Sequence, residues 1–165
     1  MPEPTRPEYA RALVWFRRDL RDFDHAALFY ALKHAREVVC VFVFDRAILD
    51  ALPDPFDRRV EFIHASLVEL QAALEARGGG LVVRHDHAAD AIPALAQEYG
   101  ADAVFCNHDD DPAALARDAG VEARLAAAGV AFHTYKDCVI FERGEVLTGA
   151  GTPFSTRPEK SLLSA

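Results

Sequence analysis

The sequence predicts an α/β fold in which five parallel strands form one doubly wound, Rossmann-like sheet with helices on both faces. Three observations predict it: five short apolar runs recur, amphipathic helical patterns separate them, and Gly, Pro or Asp marks most boundaries. Strands covered on both faces are almost continuously apolar, and a repeated strand–helix–strand unit gives right-handed crossovers in a parallel sheet. The 165 residues, 51% of them hydrophobic, provide enough apolar material for one such core.

The strands are expected at the five runs rich in β-branched and aromatic residues, namely Ala12–Phe16, Val38–Phe44, Leu81–Arg84, Ala103–Asn107 and Ala131–Tyr135.

Four helices are expected between these strands. Asp24 is expected to cap the first, which runs through Ala35 with Ala27, Leu28, Ala31 and Leu32 on its buried face. The second runs from Arg58 to Ala76, with apolar residues at Phe62, Ile63, Leu67, Leu70 and Leu74, and ends at the glycines 78–80. Asp86 or Asp90 opens the third, with Pro93 in its first turn, and Pro112 begins the fourth, which ends before Gly129.

The charge and cysteine content limit the classes of function. The formal net charge is −8, and the one dense basic run, Arg17-Arg18 with Arg21, is interrupted by acidic residues. Because duplex DNA is bound through clustered Lys and Arg, we expect no direct DNA binding by this chain. Three widely spaced cysteines indicate buried, reduced thiols, and with no secretory signal or membrane-length apolar run we expect a cytoplasmic protein. No cysteine or histidine spacing predicts a metal site.

Residues that follow the strands are the candidates for a binding site, because ligands of such sheets lie beyond the carboxyl ends of the strands. The segment 17–22 carries three arginines and two aspartates directly after the first strand. They either form an ion-pair network that orders the loop or present guanidinium groups to an anionic ligand, and the residues leave both open. Neither GxGxxG nor GxxxxGK[ST] occurs, which disfavours a dinucleotide-binding dehydrogenase and a P-loop enzyme.

Several motifs resemble one known family. The segment 15–21, W-F-R-R-D-L-R, is similar to the W-F-R-x-D-L-R signature that opens photolyases and cryptochromes, and Asp24 with Ala27-Leu28 continues the D-x-x-A-L pattern, with His25 at the usual Asn. Residues 41–45 resemble the family's second strand and its terminal acidic residue. Residues 107–112 resemble N-x-D-x-x-P, and Arg117-Asp118 the RD that follows it. The match continues to Ser155, so the chain resembles the N-terminal α/β antenna domain of the DNA photolyase/cryptochrome family.

The resemblance implies a domain organisation and an activity. Residues 1–11 would be a disordered N-terminal extension, 12–136 the photolyase-type α/β domain, and 137–165 a linker toward an FAD-binding helical domain that this chain lacks. Full-length relatives are carbon–carbon lyases that repair UV pyrimidine dimers in damaged DNA by light-driven electron transfer from FAD. We expect this chain to be a light-harvesting domain without repair activity of its own, and we expect self-association through the surface that the helical domain covers in relatives.

The resemblance also implies a site for an antenna chromophore. Relatives that bind folate have an Asn-Glu pair after the fourth strand, where this sequence has Ala113-Ala114, so flavin or deazaflavin is favoured over folate. The residues that match the flavin-type pocket are Arg18, Phe42, Asp45, Arg59 and Asp109, with Phe42 as an apolar wall, the arginines as contacts for anionic groups and the aspartates as acceptors. The alternative is that the four charged residues only form ion pairs across the sheet edge. Two further functions stay open: a small nucleotide-binding α/β protein and a chromophore-free, cryptochrome-like interaction domain.

Overall fold

The computed structural model describes residues 7–54, 57–137, 139 and 145. Its elements are β1 (Tyr9–Phe16), α1 (Ala26–His34), β2 (Ala35–Asp45), α2 (Arg46–Leu49), α3 (Arg58–Glu75), β3 (Leu81–Asp86), α4 (Ala88–Tyr99), β4 (Ala103–Asn107), α5 (Pro112–Ala127) and β5 (Ala131–Tyr135). All five strands pair in parallel in the order β3-β2-β1-β4-β5. The predicted fold class is therefore confirmed. The strand order reverses between β1 and β4, so the loops after these two strands meet at the switch point.

Alternation along β1 explains why its sequence is apolar throughout. Ala12, Val14 and Phe16 pack into the cluster formed with α1 and α3, whereas Leu13 and Trp15 pack into the cluster formed with α4 and α5. All five side chains are buried. Because successive residues of a strand face opposite sides, a sheet with helices on both faces requires apolar residues at every position.

The first strand begins earlier than expected. Tyr9 to Arg11 belong to β1, so this part of the predicted disordered extension 1–11 is wrong. The carboxylate of Asp102 accepts the backbone N–H groups of Ala10 and Arg11 at 2.8 and 3.2 Å, and the Tyr9 hydroxyl lies 2.8 Å from Nε2 of His133. These contacts come from distant residues, so the local sequence does not predict them. Residues 1–6, and the expected linker 137–165 apart from 137, 139 and 145, lie outside the described residues.

The capping of α1 differs from the prediction. The N-cap is His25 rather than Asp24, and its Nδ1 accepts the N–H of Leu28 at 3.1 Å. Asp24 instead has a φ of 46°, in the left-handed region that Asp tolerates better than most residues. Leu32, expected on the buried face, is 61% exposed, and Phe62 on α3 is 73% exposed.

The start of α4 is also formed in a way that the sequence did not predict. Its N-cap is His87, which makes no side-chain cap, rather than Asp86 or Asp90. The backbone N–H of Ala88 instead donates to Asp45 at 3.3 Å, so a carboxylate from β2 takes the place of a local cap. Pro93 lies in the second turn rather than the first. Proline has no N–H to donate to the carbonyl of Ala89, and Arg124 of α5 donates to that carbonyl at 2.8 Å.

Candidate functional site

A buried carboxylate organises the loop that follows β1. Asp19 accepts the backbone N–H of Arg17 at 3.0 Å, contacts Nε2 of His25 at 2.9 Å, and accepts the side-chain amide of Asn107. Burial raises the pKa of this carboxyl group, but the hydrogen bonds from His25, Arg17 and Asn107 outweigh it and hold the pKa at about 2. The loop is thus fixed around a carboxylate that remains ionised.

The same three side chains hold the start of α1. Because Nδ1 of His25 accepts the N–H of Leu28, we assign the ring hydrogen to Nε2, from which it donates to Asp19. The Asn107 side-chain oxygen accepts the N–H of Ala27 at 2.9 Å. Two of the N–H groups at this helix end are therefore paired with side chains from the helix cap and from β4.

Arg21, at the end of the loop, also acts on the start of α1. Its guanidinium donates to the backbone carbonyl of Asp24 and to Asp137 at 2.6 Å. Asp137 in turn accepts the N–H of Ala26 at 3.1 Å. Arg21 therefore orders the loop rather than projecting toward a ligand.

A buried network of charges lies on the opposite side of the sheet, and we call Arg17, Asp118, Arg117 and Asp45 the charge network. Arg17 donates to the carbonyl of Asn107 and to Asp118 at 2.6 Å. Nε and Nη2 of Arg117 both lie 3.0 Å from the other oxygen of Asp118, and its Nη1 lies 3.8 Å from Asp45. Two guanidinium groups and two carboxylates thus alternate with no net charge, which is the condition for burying them.

Trp15 lies against both guanidinium groups of the charge network. The guanidinium carbons of Arg17 and Arg117 are each 4.9 Å from the centre of its ring. These are favourable cation–π distances. Trp15 is 2% exposed, so it is a core residue at the carboxyl edge of the sheet, as its position in the first strand indicates.

The predicted site residues do not all meet. Arg18 reaches Asp109 at 3.1 Å, with the guanidinium side chain 72% exposed and the carboxylate largely covered. Asp45 belongs to the charge network. Phe42 is buried on the other face of the sheet and packs edge-to-face on Phe44 at 5.0 Å.

Arg59, the fifth predicted residue, is exposed at the start of α3. It pairs with Asp57, its own helix cap, at 2.5 Å. All four charged candidates therefore take part in ion pairs, although the pair of Arg59 is local to the start of its own helix. Among the five predicted residues, Arg18 and Asp109 contact each other.

Two adjoining clefts open at the carboxyl edge of the sheet beside Asp109. One, of about 320 Å³, is lined by Arg17, Arg18 and Asp19 together with the residues 107–111. The other, of about 380 Å³, shares the residues 108–110 and extends to Asp118, Glu122 and Phe132. Both volumes are in the range of small-molecule sites. Their walls combine one exposed guanidinium, several carboxylates and an aromatic ring.

Other chemistry-bearing groups are accounted for by packing. Cys40 and Cys106 are free thiols in the core, and burial raises the pKa of each to about 12. Cys138 lies outside the described residues. Among the residues that the structure describes, no three His, Cys, Asp or Glu side chains are grouped so as to hold a metal ion. Within the same residues, no helix has both the length and the apolar character needed to cross a membrane.

A family model described as DNA photolyase matches residues 12–160. This chain belongs to the DNA photolyase family. A deoxyribodipyrimidine photo-lyase of Halobacterium salinarum is 38% identical over 152 residues, which cover 87% of this chain and 31% of the relative. A cryptochrome DASH of Natronomonas pharaonis is 36% identical over 124 residues, which cover 73% of this chain and 26% of the relative.

Solved photolyase structures share the fold. The class III photolyase of Agrobacterium tumefaciens superposes with a TM-score of 0.78 at 28% identity, covering 93% of this chain and 31% of that one. The archaeal photolyase of Sulfolobus tokodaii gives a TM-score of 0.71 at 28% identity, and the match covers 81% of this chain and 32% of that one. Its structure is described as holding two FAD molecules, with the implication of a novel light-harvesting cofactor. The photolyase-family chain thus spans about a third of the length of these relatives.

Three residues at the site belong to the family motifs but were not predicted as site residues. Asn107, Arg117 and Asp118 belong to the photolyase-like patterns, yet none was predicted as a site residue. The sequence signal that could have indicated them is the charged pair Arg117-Asp118 in α5, a helix rich in alanine. The sequence could not show its partners, because Asp118 and Arg17 are 101 residues apart.

Proposed function

We propose that this photolyase-family domain binds an antenna chromophore of the flavin or deazaflavin type at the carboxyl edge of its sheet. In a full-length photolyase, light absorbed there would be passed to the FAD that carries out repair. The observation that carries the proposal is the contact of Arg18 with Asp109. Arg17 and Arg21 are engaged in ordering the loop, whereas the Arg18 guanidinium faces solvent beside the clefts.

The chemistry of the clefts supports a planar polar ring. Carboxylates such as Asp109 accept hydrogen bonds from ring N–H groups, and a guanidinium stacks on a ring or pairs with an anionic group. Phe132, which lines the same cleft as Asp109, adds an apolar surface. The light-harvesting cofactor in the description of the Sulfolobus tokodaii photolyase supports the same class of function.

Folate is disfavoured by the start of α5. Ala113 is exposed and Ala114 is buried, and neither side chain can accept a hydrogen bond from a pterin ring. The acceptors near this helix are instead Asp109, whose Oδ1 accepts the N–H of Asp111 at 3.2 Å, and Asp111, which caps the helix through the N–H of Ala113 at 2.9 Å.

The experiment is a titration of the purified chain with FMN, FAD, a 5-deazaflavin and methenyltetrahydrofolate. Trp15 is the one tryptophan of the sequence, and it lies at the edge where the chromophore would bind. We expect saturable quenching of its emission, together with induced circular dichroism in the visible band, for the flavin-type ligands. A parallel titration with AMP tests the alternative that the chain is a small nucleotide-binding protein.

Asp109→Asn tests the site directly. It preserves the size of the side chain and removes one charge, so we expect affinity for the chromophore to fall on the order of tenfold, equivalent to about 1.4 kcal/mol. Glu37→Gln removes a carboxylate at the opposite edge, where Glu37 pairs with Arg11, and should leave affinity unchanged. Absence of quenching with every chromophore, or equal affinity of the two variants, would refute the proposal.

We also propose that the chain self-associates through the outer face of α1, because this face carries exposed apolar side chains. Phe29 and Leu32 are each 61% exposed on this helix, and apolar side chains so placed favour association. Light scattering across a concentration series should show a dimer that Phe29→Glu abolishes and that Ile48→Glu, at an exposed position on α2, leaves intact. A monomer at all concentrations would contradict this.

Direct DNA contact is, on our proposal, no part of this chain's function. The net charge of −8 opposes binding to a phosphate backbone. The anisotropy of a labelled oligonucleotide containing a pyrimidine dimer should therefore stay constant as the chain is added at moderate salt. A saturable rise would contradict the proposal.

A further inference from the structure

We propose that Glu122 is a specificity-determining residue of the chromophore site, which it restricts to ligands whose side chain carries hydroxyl groups and no phosphate. This inference rests on the proposed function and makes it narrower. It separates ligands that share one ring system, such as riboflavin from FMN and FAD, by the phosphate at the end of the side chain. It follows from the charges that line the two clefts.

Glu122 belongs to the face of α5 that forms one wall of the larger cleft. Leu115, Asp118 and Glu122 are spaced three or four residues apart, so they lie on one face of the helix. The same cleft is lined by Phe132 and Thr134 of β5. Because Glu122 is exposed rather than buried, its carboxylate can contact a ligand that enters the cleft.

The charge of Glu122 is not neutralised by a neighbouring cation. Asp118, one helical turn earlier, is paired with Arg17 and Arg117 at 2.6 and 3.0 Å. The Glu122 carboxylate, by contrast, has no hydrogen bond or ion pair with any residue that the structure describes. Its negative charge therefore acts without compensation on whatever enters the cleft.

The other residues of the larger cleft add to this negative charge. Among the described residues that line it, none is Lys or Arg and four are acidic, namely Asp109, Asp110, Asp118 and Glu122. Like charges that line a cleft sum to a potential that repels a ligand of the same sign. A phosphate monoester such as that of FMN carries a charge of about −1.5 to −2 at pH 7, so the cleft opposes its entry.

The guanidinium groups of the smaller cleft offer little to a phosphate. Arg17 already donates to Asp118 at 2.6 Å and to the carbonyl of Asn107. Arg18 reaches Asp109 at 3.1 Å. A phosphate would therefore pair with Arg18 only in competition with a carboxylate that is already in place.

The start of α5, where a helix ordinarily attracts anions, is also of little use to a phosphate. Pro112 at the start of the helix has no N–H, and the N–H of Ala113 donates to Asp111 at 2.9 Å. A hydroxyl-bearing side chain needs neither a cation nor a helix end, because each hydroxyl can donate to a carboxylate in a charge-assisted hydrogen bond. The Glu122 carboxylate therefore repels a phosphate and accepts the hydroxyl groups of riboflavin.

The experiment compares riboflavin with FMN, and 5-deazariboflavin with its phosphate, in the Trp15 quenching titration at low and at high salt. The two ligands of each pair differ only by the phosphate, so the ratio of their affinities isolates its effect. At low salt we expect the wild-type chain to bind the unphosphorylated ligand on the order of tenfold more tightly. High salt should strengthen binding of the phosphorylated ligand alone, because screening weakens the repulsion.

Glu122→Gln removes the charge and keeps an acceptor oxygen. FMN should therefore gain affinity, and the preference for riboflavin should fall to about threefold. Glu122→Lys should raise the affinity for FMN further. Glu37→Gln makes the same chemical change at the opposite edge of the sheet, so this matched control should keep the wild-type ratio.

The results distinguish a failure of this inference from a failure of the proposed function. Equal or tighter binding of the phosphorylated ligand by the wild-type chain, or a ratio that neither Glu122 variant lowers, would overturn the inference and leave the proposed function standing. A wild-type chain that binds no flavin or deazaflavin would overturn both. Because the comparison of paired ligands in the wild-type chain needs no substitution, the inference stays testable if a variant does not fold.

Discussion

Replacement of the buried Asp19 by asparagine gives a quantitative test of the loop architecture. In the native loop both carboxylate oxygens accept hydrogen bonds, from the N–H of Arg17, from His25 and from Asn107. Asp19→Asn converts one acceptor into an NH₂ donor that must face another donor. The substitution preserves size, so packing changes little and the polar contacts determine the result.

The pKa of Asp19 gives the magnitude of the expected loss in unfolding free energy. Burial raises the pKa of the carboxyl group, but the hydrogen bonds from His25, Arg17 and Asn107 lower it from 3.8 to about 2. A difference of nearly two units corresponds to about 2 kcal/mol of unfolding free energy that depends on the ionised form. With buried donors left unpaired, we expect Asp19→Asn to lower the free energy of unfolding at pH 7 by about 2 to 4 kcal/mol.

The pH dependence has a definite sign. Because the pKa of Asp19 is lower in the folded state, its contribution is complete above the unfolded value near 4 and is lost as the pH falls through about 2. The difference in unfolding free energy between wild type and Asp19→Asn should therefore narrow by about 2 kcal/mol between pH 5 and pH 2.

Urea unfolding followed by far-UV circular dichroism at several pH values measures this difference. Glu37→Gln provides the surface control, with an expected change of less than about 1 kcal/mol. Equal stability of Asp19→Asn and wild type at pH 7, or a gap that does not change with pH, would refute the reasoning.

Two further predictions concern the cap of α1 and the cysteines. His25→Asn should lower the unfolding free energy less than His25→Ala in the same urea assay, because both variants lose the hydrogen bond to Asp19 but asparagine is also a good N-cap; equal losses would contradict the capping role. In a Cys138→Ser variant, DTNB at pH 8 should not react with Cys40 or Cys106 until urea is added, because burial raises the pKa of both thiols to about 12. Rapid reaction of the folded variant would show that these strands open readily.

The strands could be predicted from the sequence because their signal is local. Every buried position of β1 must be apolar when helices cover both faces, and each turn residue acts on its own neighbours. The order β3-β2-β1-β4-β5 has no such local signal, since a right-handed crossover can lead to either side of the preceding strand. No strand order was predicted from the sequence, and the structure supplies it.

Helix starts were harder to predict because their partners are remote. The α4 start looked like a local cap by Asp86 or Asp90, yet its N–H is paired with Asp45, 43 residues earlier in the chain. The sequence predicts Pro93 in the first turn, whereas it lies in the second, where Arg124 from the neighbouring helix donates to the Ala89 carbonyl that proline cannot pair. Sequence patterns describe what a helix end requires but not which distant residue provides it.

At the candidate site, too, the sequence predicts the local residue types but not their distant partners. The sequence could not decide whether the arginines after β1 order the loop or face a ligand. The structure assigns Arg17 and Arg21 to the loop, while Arg18 points to solvent beside Asp109. Which arginine is exposed depends on the position of Asp118 and Asp137, and both are set by tertiary packing rather than by spacing along the chain.

The residues specified by the W-F-R-x-D-L-R signature determine what a sequence search with this pattern finds. Trp15, Arg17, Asp19 and Arg21 are engaged in holding the first loop together, and the position written as x, Arg18, is the one that meets solvent. A search with this pattern finds chains that form the loop after β1, whether or not they bind a chromophore. Arg117 and Asp118 of α5, which complete the charge network beneath this loop, lie outside a pattern of seven residues.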